Sequence, residues 1–300
     1  MTDTFIDFSN ALADAVERAG HAVVSVLEGG RRGVSGTLWR DSLVVATEHT
    51  IRGQQEVTIE LPDGRSLPAA VVGRDPGTDI ALLRATEPVA SAIEFADATR
   101  LRVGQFVLAI GRRPNQCVVA SHGILSALGG AWRTGHGARI DHSFRLDLLP
   151  YTGFSGGPLV DAGGRVIGVN TSGPRRTVLT VPASTVNSVV EQLIAKGRVA
   201  RGYLGVALQP VNLPPAILAQ TGTGIKRGLL VVMVEPGSPA EAAGITIGDV
   251  VVALDDKPLA NPGDLQLALD PERIGQPARL RLIRGGKPHE LTLIVRERAE

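Results

Sequence analysis

The string Gly153-Phe154-Ser155-Gly156-Gly157 places a serine inside a glycine-rich segment, directly before the run PLVDAGGRVIGVN. Glycines permit a tight turn in which backbone N–H groups converge on one point. We therefore predict that Ser155 is a nucleophile and that the amides of Gly153 and Ser155 bind the oxyanion of a tetrahedral intermediate. The alternative is a glycine-rich hairpin that contains an incidental serine.

The same five residues also match G-x-S-x-G, the nucleophile elbow of α/β-hydrolases. An elbow runs from a strand into a helix, and its histidine follows the serine in the chain. Ser155 instead leads into two predicted strands, and the only later histidine is His289, far along the chain. The elbow interpretation therefore fails on both counts.

Two further residues have the types that activate a serine. His49 closely follows the apolar run SLVVAT, and Asp79, thirty positions later, begins the apolar run DIALLRA. A histidine can act as the general base, and a buried carboxylate can orient its ring through Nδ1–H. Each residue alone is compatible with a structural role, as a core histidine or a turn aspartate. In the order His49, Asp79, Ser155 they predict a catalytic triad.

The composition indicates which elements must position these residues. Of 300 residues, 43% are hydrophobic and 20% charged, which is typical of a soluble globular protein, and the length favours two domains. The 36 glycines and 19 prolines favour short strands and turns. Residues 21–172 contain many short apolar runs separated by Gly, Pro and Asp, which predicts an antiparallel sandwich or barrel.

Helices are predicted at a few places only. Apolar spacing indicates a helix over 8–19 and another over 185–196, the latter with Ser184 or Thr185 as N-cap and Gly197 as C-cap. Two shorter helices are predicted later in the chain, at SPAEAAG (238–244) and NPGDLQLALD (261–270).

Charge and cysteine content exclude several classes of partner and site. The 31 Lys and Arg residues balance 30 Asp and Glu residues, so no bulk field favours nucleic acid or an anionic membrane. The single cysteine, Cys117, cannot form an internal disulfide, which is compatible with a reducing compartment. Neither Cys117 with His122 nor His136 with Asp141 and His142 has convincing ligand spacing. We therefore expect no metal site and no cofactor.

The N-terminal residues lack the features of an export signal. Asp3 and Asp7 stand where a signal peptide carries positive charge, and no continuous apolar region follows. No stretch reaches the roughly 18 apolar residues that a membrane-spanning helix requires. The sequence as written predicts a cytoplasmic protein, and a periplasmic one if a leader has been removed.

Residues 20–197 resemble the protease domain of the HtrA family of trypsin-like enzymes. The resemblance is carried by Thr78-Asp79-Ile80-Ala81, by Ser155-Gly156-Gly157-Pro158-Leu159, by VIGVNT at 166–171 and by GILSAL at 123–128. It implies a mainly β fold with a chymotrypsin-like double β-barrel. The segment at 1–19, predicted to be helical from its apolar spacing, precedes this domain. In such folds the specificity pocket lies near Leu149, Thr171 and Ser172. Since Leu149 carries no charge, we expect a preference for aliphatic side chains.

Residues 198–300 resemble the α+β PDZ domain of the same family. Tyr203-Leu204-Gly205-Val206 is similar to the family's carboxylate-binding loop, and the run Pro236-Gly237-Ser238-Pro239-Ala240 precedes a predicted helix. Free N–H groups at Leu204, Gly205 and Val206 could bind the carboxylate of a peptide C-terminus, while the adjoining strand edge pairs with the peptide backbone. The alternative is an ordinary glycine-containing loop.

Two segments depart from the family pattern. The approach to the serine reads LDLLPYTGFSGG, and TEHT surrounds the histidine, which places the acidic Glu48 beside it. The resemblance implies an ATP-independent serine endopeptidase that cleaves unfolded or misfolded proteins, with a PDZ domain for substrate recruitment or regulation. It also implies a possible homotrimer through N-terminal aromatics such as Phe5 and Phe8. The alternative is a catalytically idle adaptor or chaperone that acts through the PDZ groove.

Overall fold

The structure is a computed structural model that describes residues 2–28, 32–90, 93–114, 118–134, 137–149, 153–173, 177–215, 217, 226–269 and 271–297. The chain folds into two compact units, Met1–Val199 and Ala200–Glu300. The boundaries at 20–197 and 198–300, which were drawn from motifs, stay a prediction. Cys117 and His136, considered above as metal ligands, lie outside the described residues, as do Pro150 and Tyr151 in the approach to Ser155.

The first unit consists mainly of short strands. Its elements are α1 (Thr2–Gly20), β1 (Val23–Glu28), β2 (Arg32–Arg40), β3 (Leu43–Thr47), β4 (Glu56–Glu60), β5 (Ser66–Asp75), β6 (Ile80–Ala85), β7 (Phe106–Arg112), β8 (Val118–Gly129), β9 (Trp132–Arg133), β10 (Arg139–Ile140), β11 (Ser143–Asp147), β12 (Pro158–Asp161), β13 (Val166–Ser172), β14 (Val178–Pro182) and α2 (Ala183–Lys196). Single 3₁₀ turns lie at Glu48–Thr50 and Ala98–Arg100.

The strands of the first unit form two sheets. A closed barrel has the order β1-β2-β3-β6-β5-β4, and a six-stranded antiparallel sheet has the order β11-β8-β7-β12-β13-β14. The edge strands β11 and β14 of the second sheet approach each other, so the sheet curls in the manner of a barrel. The mainly β class predicted from the sequence is confirmed.

Strand β3 explains how the barrel is joined to the rest of the unit. Its five residues are all buried, because successive side chains point to opposite faces and both faces are covered. Val44 and Ala46 pack in the barrel interior, whereas Leu43 and Val45 join a second core that also contains residues of α1 and α2. This strand end is therefore rigid, and it leads directly to His49.

The two long helices differ in detail from the sequence prediction. Helix α1 begins at Thr2 rather than near residue 8, and it buries Ala15 and Ala19 in the core. Helix α2 begins at Ala183, after Pro182 at the N-cap position, so the predicted cap at Ser184 or Thr185 is wrong. Both hydroxyls instead donate to the Asp141 carboxylate, at 3.0 and 3.1 Å. The predicted C-cap is confirmed, since Gly197 has a left-handed φ of 70°.

The second unit is a sheet packed with short helices. Its elements are β15 (Gly202–Tyr203), β16 (Val206–Asn212), β17 (Arg227–Val234), α3 (Pro239–Ala242), β18 (Val250–Leu254), β19 (Lys257–Pro258), α4 (Pro262–Ala268), β20 (Pro277–Arg284), β21 (Lys287–Ile294) and β22 (Arg296–Glu297), with a 3₁₀ turn at Pro271–Arg273. The main sheet has the order β16-β17-β18-β20-β21, which leaves β16 at an edge. Both helices predicted here are confirmed, with Ser238 and Asn261 as N-caps.

Candidate active site

His49 lies in the 3₁₀ turn that ends β3. The turn is closed by hydroxyl groups, since Thr50 Oγ1 donates to the carbonyl of Thr47 at 2.7 Å and lies 3.0 Å from Thr47 Oγ1. The imidazole is 39% exposed, although the strand before it is fully buried. A rigid strand end thus presents a ring that solvent and substrate can reach.

Asp79 precedes β6 in an uncommon backbone conformation. Its φ is +60°, a left-handed value that most residues with a side chain avoid. The preceding turn is fixed by Asp75, whose carboxylate accepts hydrogen bonds from Gly77 N at 3.0 Å and Thr78 Oγ1 at 2.7 Å. The Asp79 carbonyl in turn accepts from Glu48 N at 3.1 Å. Strain of this kind persists where surrounding contacts over-determine it, and it clusters at functional sites.

This conformation brings the Asp79 carboxylate to His49. Asp79 Oδ2 lies 2.6 Å from His49 Nδ1, and Oδ1 accepts from the backbone N–H of His49 at 2.9 Å. The buried hydroxyl of Thr171 also donates to Oδ2. Burial raises the pKa of Asp79, but the hydrogen bonds from His49 and Thr171 outweigh that effect, so the pKa lies below its ordinary value. The carboxylate is therefore charged at neutral pH.

The pKa of His49 is shifted in the opposite direction. The hydrogen bond with Asp79 raises this pKa above its ordinary value, against the lowering effect of partial burial. Glu48 adds a smaller raising effect, and Arg52 adds a smaller lowering one. The buried Glu48 carboxylate is itself paired with Arg52, with contacts of 3.1 and 2.9 Å. The acidic residue that departs from the family pattern is thus paired with an arginine four positions later.

Ser155 lies in a loop that is built from peptide groups packed closely together. Gly156 N donates to the Asn170 carbonyl at 2.8 Å, and Gly157 N donates to the Phe154 carbonyl at 3.0 Å. Gly156 has a φ of +85°, and a Cβ added there would lie 2.0 Å from the Ser35 carbonyl. Glycine is required at this position on both grounds.

The Ser155 hydroxyl lies 3.4 Å from Ser172 Oγ, which is a long contact. Within the described residues, no hydrogen bond joins Ser155 to the ring of His49. In ligand-free enzymes the bond between nucleophile and base is often long and shortens only when substrate binds.

The two amides predicted to bind an oxyanion donate no hydrogen bond to another described residue. Across the described part of the chain, neither Gly153 N–H nor Ser155 N–H donates to another group. Gly153 has a φ of +104°, and its carbonyl accepts from Ser35 Oγ at 2.5 Å. These two N–H groups are thus available to a ligand, while the Gly153 carbonyl is already hydrogen-bonded to Ser35.

The residues predicted to contact substrate lie in different environments. Leu149 is 67% exposed, whereas the Thr171 side chain is buried behind Asp79. Alternation along β13 turns the Thr171 side chain to the carboxylate, and the predicted substrate contact of Thr171 stays a prediction. Ser172 remains beside Ser155. Sequence reasoning also missed Ser35 and Thr37, whose only signal was hydroxyl residues within the strand GVSGTLW.

The predicted carboxylate-binding loop of the second unit also contains backbone N–H groups that donate to no described residue. The Leu204 and Gly205 carbonyls accept from Ala240 N and Glu235 N, each at 2.9 Å. In the described residues, no hydrogen bond is donated by Leu204 N or Gly205 N. Val206 begins the edge strand β16 and pairs with Val234. Tyr203 turns its hydroxyl to Glu235, which braces the loop.

Neither a metal cluster nor a membrane-spanning helix emerges from the described part of the chain. No group of three or more His, Cys, Asp and Glu side chains within it could hold a metal ion. None of its helices is both long and apolar enough to cross a membrane.

Comparison with known proteins identifies both units. Residues 34–169 match the family model of the trypsin-like peptidase domain, and residues 202–295 match that of the PDZ domain. The solved HtrA-type protease AlgW with a decapeptide is 26% identical and superposes with a TM-score of 0.74, over 96% of this chain and 99% of that one. The serine endoprotease from Yersinia pestis is 27% identical, with a TM-score of 0.73 over 96% and 98%.

Curated relatives carry related names. A protein of Rhizobium meliloti (strain 1021), named probable periplasmic serine endoprotease DegP-like, is 35% identical over 84% of this chain and 51% of its own length. The periplasmic pH-dependent serine endoprotease DegQ of Escherichia coli (strain K12) is 32% identical over 83% and 55%. The chain thus spans about half the length of the curated relatives it matches. With both domain matches and the structural likeness, the chain belongs to the HtrA family of trypsin-like serine proteases with a PDZ domain.

Proposed function

We propose that this protein is an ATP-independent serine endopeptidase with His49, Asp79 and Ser155 as its catalytic triad. The observation that carries the proposal is the 2.6 Å hydrogen bond between His49 Nδ1 and Asp79 Oδ2. It keeps a proton on Nδ1, which leaves Nε2 as the nitrogen that can accept the serine proton. The names of its relatives, which are serine endoproteases, support the same reaction.

In the proposed reaction, the Ser155 hydroxyl attacks the peptide carbonyl while His49 Nε2 takes its proton. The Asp79 carboxylate stabilises the resulting imidazolium, and Thr171 supports that carboxylate from behind. The amides of Gly153 and Ser155 donate to the oxyanion, which is worth about 10²–10³ in rate for each donor. His49 then protonates the leaving amine, and water releases the acyl group by the same steps in reverse.

The rival function is a peptide-binding adaptor in which the triad is idle. A fluorophosphonate probe separates the two, because it labels only an activated serine. We expect labelling of the wild-type protein and hydrolysis of unfolded casein. Ser155→Ala should reduce kcat by up to about 10⁶-fold. Ser126→Ala, which removes a hydroxyl bound to the Arg145 carbonyl on the edge strand β11, is the matched control and should keep full activity. An unlabelled wild-type protein, or an active Ser155→Ala variant, contradicts the proposal.

We further propose that the second unit binds peptide C-termini and thereby recruits substrates or regulates cleavage. The amides of Leu204 and Gly205, which donate to no described residue, and the edge of β16 that no described strand covers support this function, since a peptide can pair with an exposed strand edge. A peptide with a free carboxylate and an apolar last residue should bind the full-length Ser155→Ala variant. The amidated peptide should bind at least about tenfold more weakly, because it lacks the charge that those amides receive. Equal affinities in titration calorimetry contradict the assignment.

The natural substrates are proposed from the same resemblance. Unfolded or misfolded proteins expose apolar segments, which suit the aliphatic preference expected near Leu149. Cleavage-site sequencing after digestion of reduced, unfolded casein tests this preference. Sites that follow Lys or Arg in most cases contradict it.

Compartment and assembly complete the proposal. The relatives are named as periplasmic proteins, and we propose that compartment rather than the cytoplasm. We also propose a homotrimer that uses the exposed N-terminal aromatics. Phe5 is 78% exposed, and Phe8 contacts Phe106 edge-on at a centroid distance of 5.2 Å. Cell fractionation tests the first point, and a solution mass other than three times that of the chain contradicts the second.

A further inference from the structure

Strand β2 carries two buried hydroxyl groups on one face. Ser35 and Thr37 are two positions apart, so their side chains point the same way, and both residues are fully buried. A buried hydroxyl is costly unless it is hydrogen-bonded. Each hydroxyl donates to a carbonyl of the loop that contains Ser155, more than a hundred positions away in the chain.

Ser35 is placed so that its hydroxyl has one orientation. Its Oγ accepts from the backbone N–H of Arg112 at 2.9 Å and donates to the Gly153 carbonyl at 2.5 Å. Because the Arg112 amide occupies the acceptor side, the hydroxyl proton is directed at Gly153. Only the φ and ψ angles of Gly153 separate this carbonyl from its own N–H, so fixing the carbonyl limits the directions that the N–H can take.

Thr37 acts on the other side of the nucleophile. Its Oγ1 donates to the Gly156 carbonyl at 2.8 Å. The peptide group of that carbonyl carries Gly157 N–H, which donates to the Phe154 carbonyl at 3.0 Å. The Phe154 carbonyl shares a peptide group with Ser155 N–H. The orientation of Ser155 N–H therefore depends on Thr37 through two linked peptide groups.

We propose that Ser35 and Thr37 are positioning residues for the oxyanion site, each fixing the peptide groups behind one of its two donors. The inference rests on the proposed function, because it assigns a role in the same reaction. An oxyanion site must be organised before the reaction, since its donors act on charge that develops only in the transition state. The two hydroxyls supply that organisation from a strand of the closed barrel.

The test uses Ser35→Ala and Thr37→Val, measured on a short chromogenic substrate. Each change should lower kcat by about 10- to 100-fold, less than the 10²–10³ expected for complete loss of a donor. KM should change by less than about threefold, since the loss concerns the transition state. The rate of fluorophosphonate labelling should fall with kcat. The pH midpoint should stay at its wild-type value, because neither hydroxyl contacts His49.

Ser25→Ala is the matched control. Ser25 is the cross-strand partner of Ser35 and is equally buried, but among the described residues its hydroxyl has no hydrogen-bond partner. Its removal should leave kcat unchanged. Thr37→Ser, which retains the hydroxyl and removes a methyl group, should recover most of the activity that Thr37→Val loses. Melting temperatures are recorded for all variants, and if Ser35→Ala does not fold, the comparison of Thr37→Val with Thr37→Ser decides.

Two outcomes overturn the inference while leaving the proposed function intact. In the first, the wild-type enzyme is active, and the Ser35→Ala and Thr37→Val variants are both as active as the Ser25→Ala control. The other is a folded Thr37→Ser variant that is as impaired as Thr37→Val. An inactive, unlabelled wild-type protein instead overturns the proposed function, and the inference with it.

Discussion

Replacing Asp79 by asparagine keeps the shape of the side chain and changes only what it can accept and donate. In the native protein all three partners donate to the carboxylate: the ring and the backbone N–H of His49, and the hydroxyl of Thr171. An asparagine has one acceptor oxygen and one donor NH₂ group. One of the native hydrogen bonds must therefore be lost or reversed.

The surrounding groups decide which way the amide turns. If its NH₂ group took the place of Oδ1, it would oppose the backbone N–H of His49, which cannot reverse its polarity. If the NH₂ group takes the place of Oδ2, the Thr171 hydroxyl can rotate to accept, and the imidazole can accept at Nδ1 once its proton moves to Nε2. We expect the second arrangement, because it leaves no donor opposed to another donor.

That arrangement places the ring proton on the wrong nitrogen for catalysis. With Nε2 protonated, His49 cannot accept the proton of Ser155, and kcat should fall by about 10⁴-fold, or about 5 kcal/mol in activation free energy. The pKa of His49 should also fall, since its hydrogen bond with the Asp79 carboxylate is the main cause that raises it. The assay is kcat on a chromogenic peptide, with ¹⁵N NMR of labelled histidine to identify the protonated nitrogen.

The control is Asp63→Asn, because Asp63 is exposed and paired only with its neighbour Arg65 among the described residues. It should have wild-type kcat. The reasoning is refuted if Asp79→Asn retains kcat within tenfold of the wild type. It is also refuted if activity is lost while the proton remains on Nδ1, since the tautomer would not then be the cause.

Two other results are expected. Activity should rise with pH through a midpoint above the ordinary histidine pKa of about 6.5 and be poor below about pH 5. The reason is that His49 must be neutral to accept a proton, and its hydrogen bond with Asp79 raises its pKa. A flat profile of kcat/KM between pH 4 and 9 contradicts a histidine base. Arg284→Met should destabilise the second unit by about 2 kcal/mol in urea unfolding, because the buried Asp249 carboxylate loses contacts of 2.8 and 2.7 Å with a guanidinium that is itself partly exposed. Arg279→Met, which removes exposed ion pairs with Asp256 and Glu290, should cost less than about 1 kcal/mol, and equal losses for the two variants contradict a larger contribution from the pair with the buried Asp249.

The sequence determined the features that depend on neighbours in the chain. Asn261 and Asp264 form a reciprocal capping box that starts α4, and Gly197 ends α2 in the left-handed conformation. The alternation in β4 buries Val57 and Ile59 and exposes Thr58 between them. These elements could be predicted because caps and periodicity are satisfied by residues only two to four positions apart.

Local patterns failed where a distant partner competed. Ser184 and Thr185 have the residue types of N-caps, but the Asp141 carboxylate takes both hydroxyls, and the helix begins beside Pro182. The Thr171 hydroxyl donates to Asp79, a partner that its place in the chain did not indicate. An acceptor 43 or 92 positions away leaves no mark on the local sequence.

Only the tertiary structure decided how the candidate site is assembled. The sequence named His49, Asp79 and Ser155 by residue type and order, but not the left-handed backbone of Asp79, which brings its carboxylate within 2.6 Å of the ring. Nor could it connect Ser35 with Gly153, which are 118 positions apart. Alternation along a strand tells which side chains share a face, whereas closure of the barrel against the second sheet decides what that face meets.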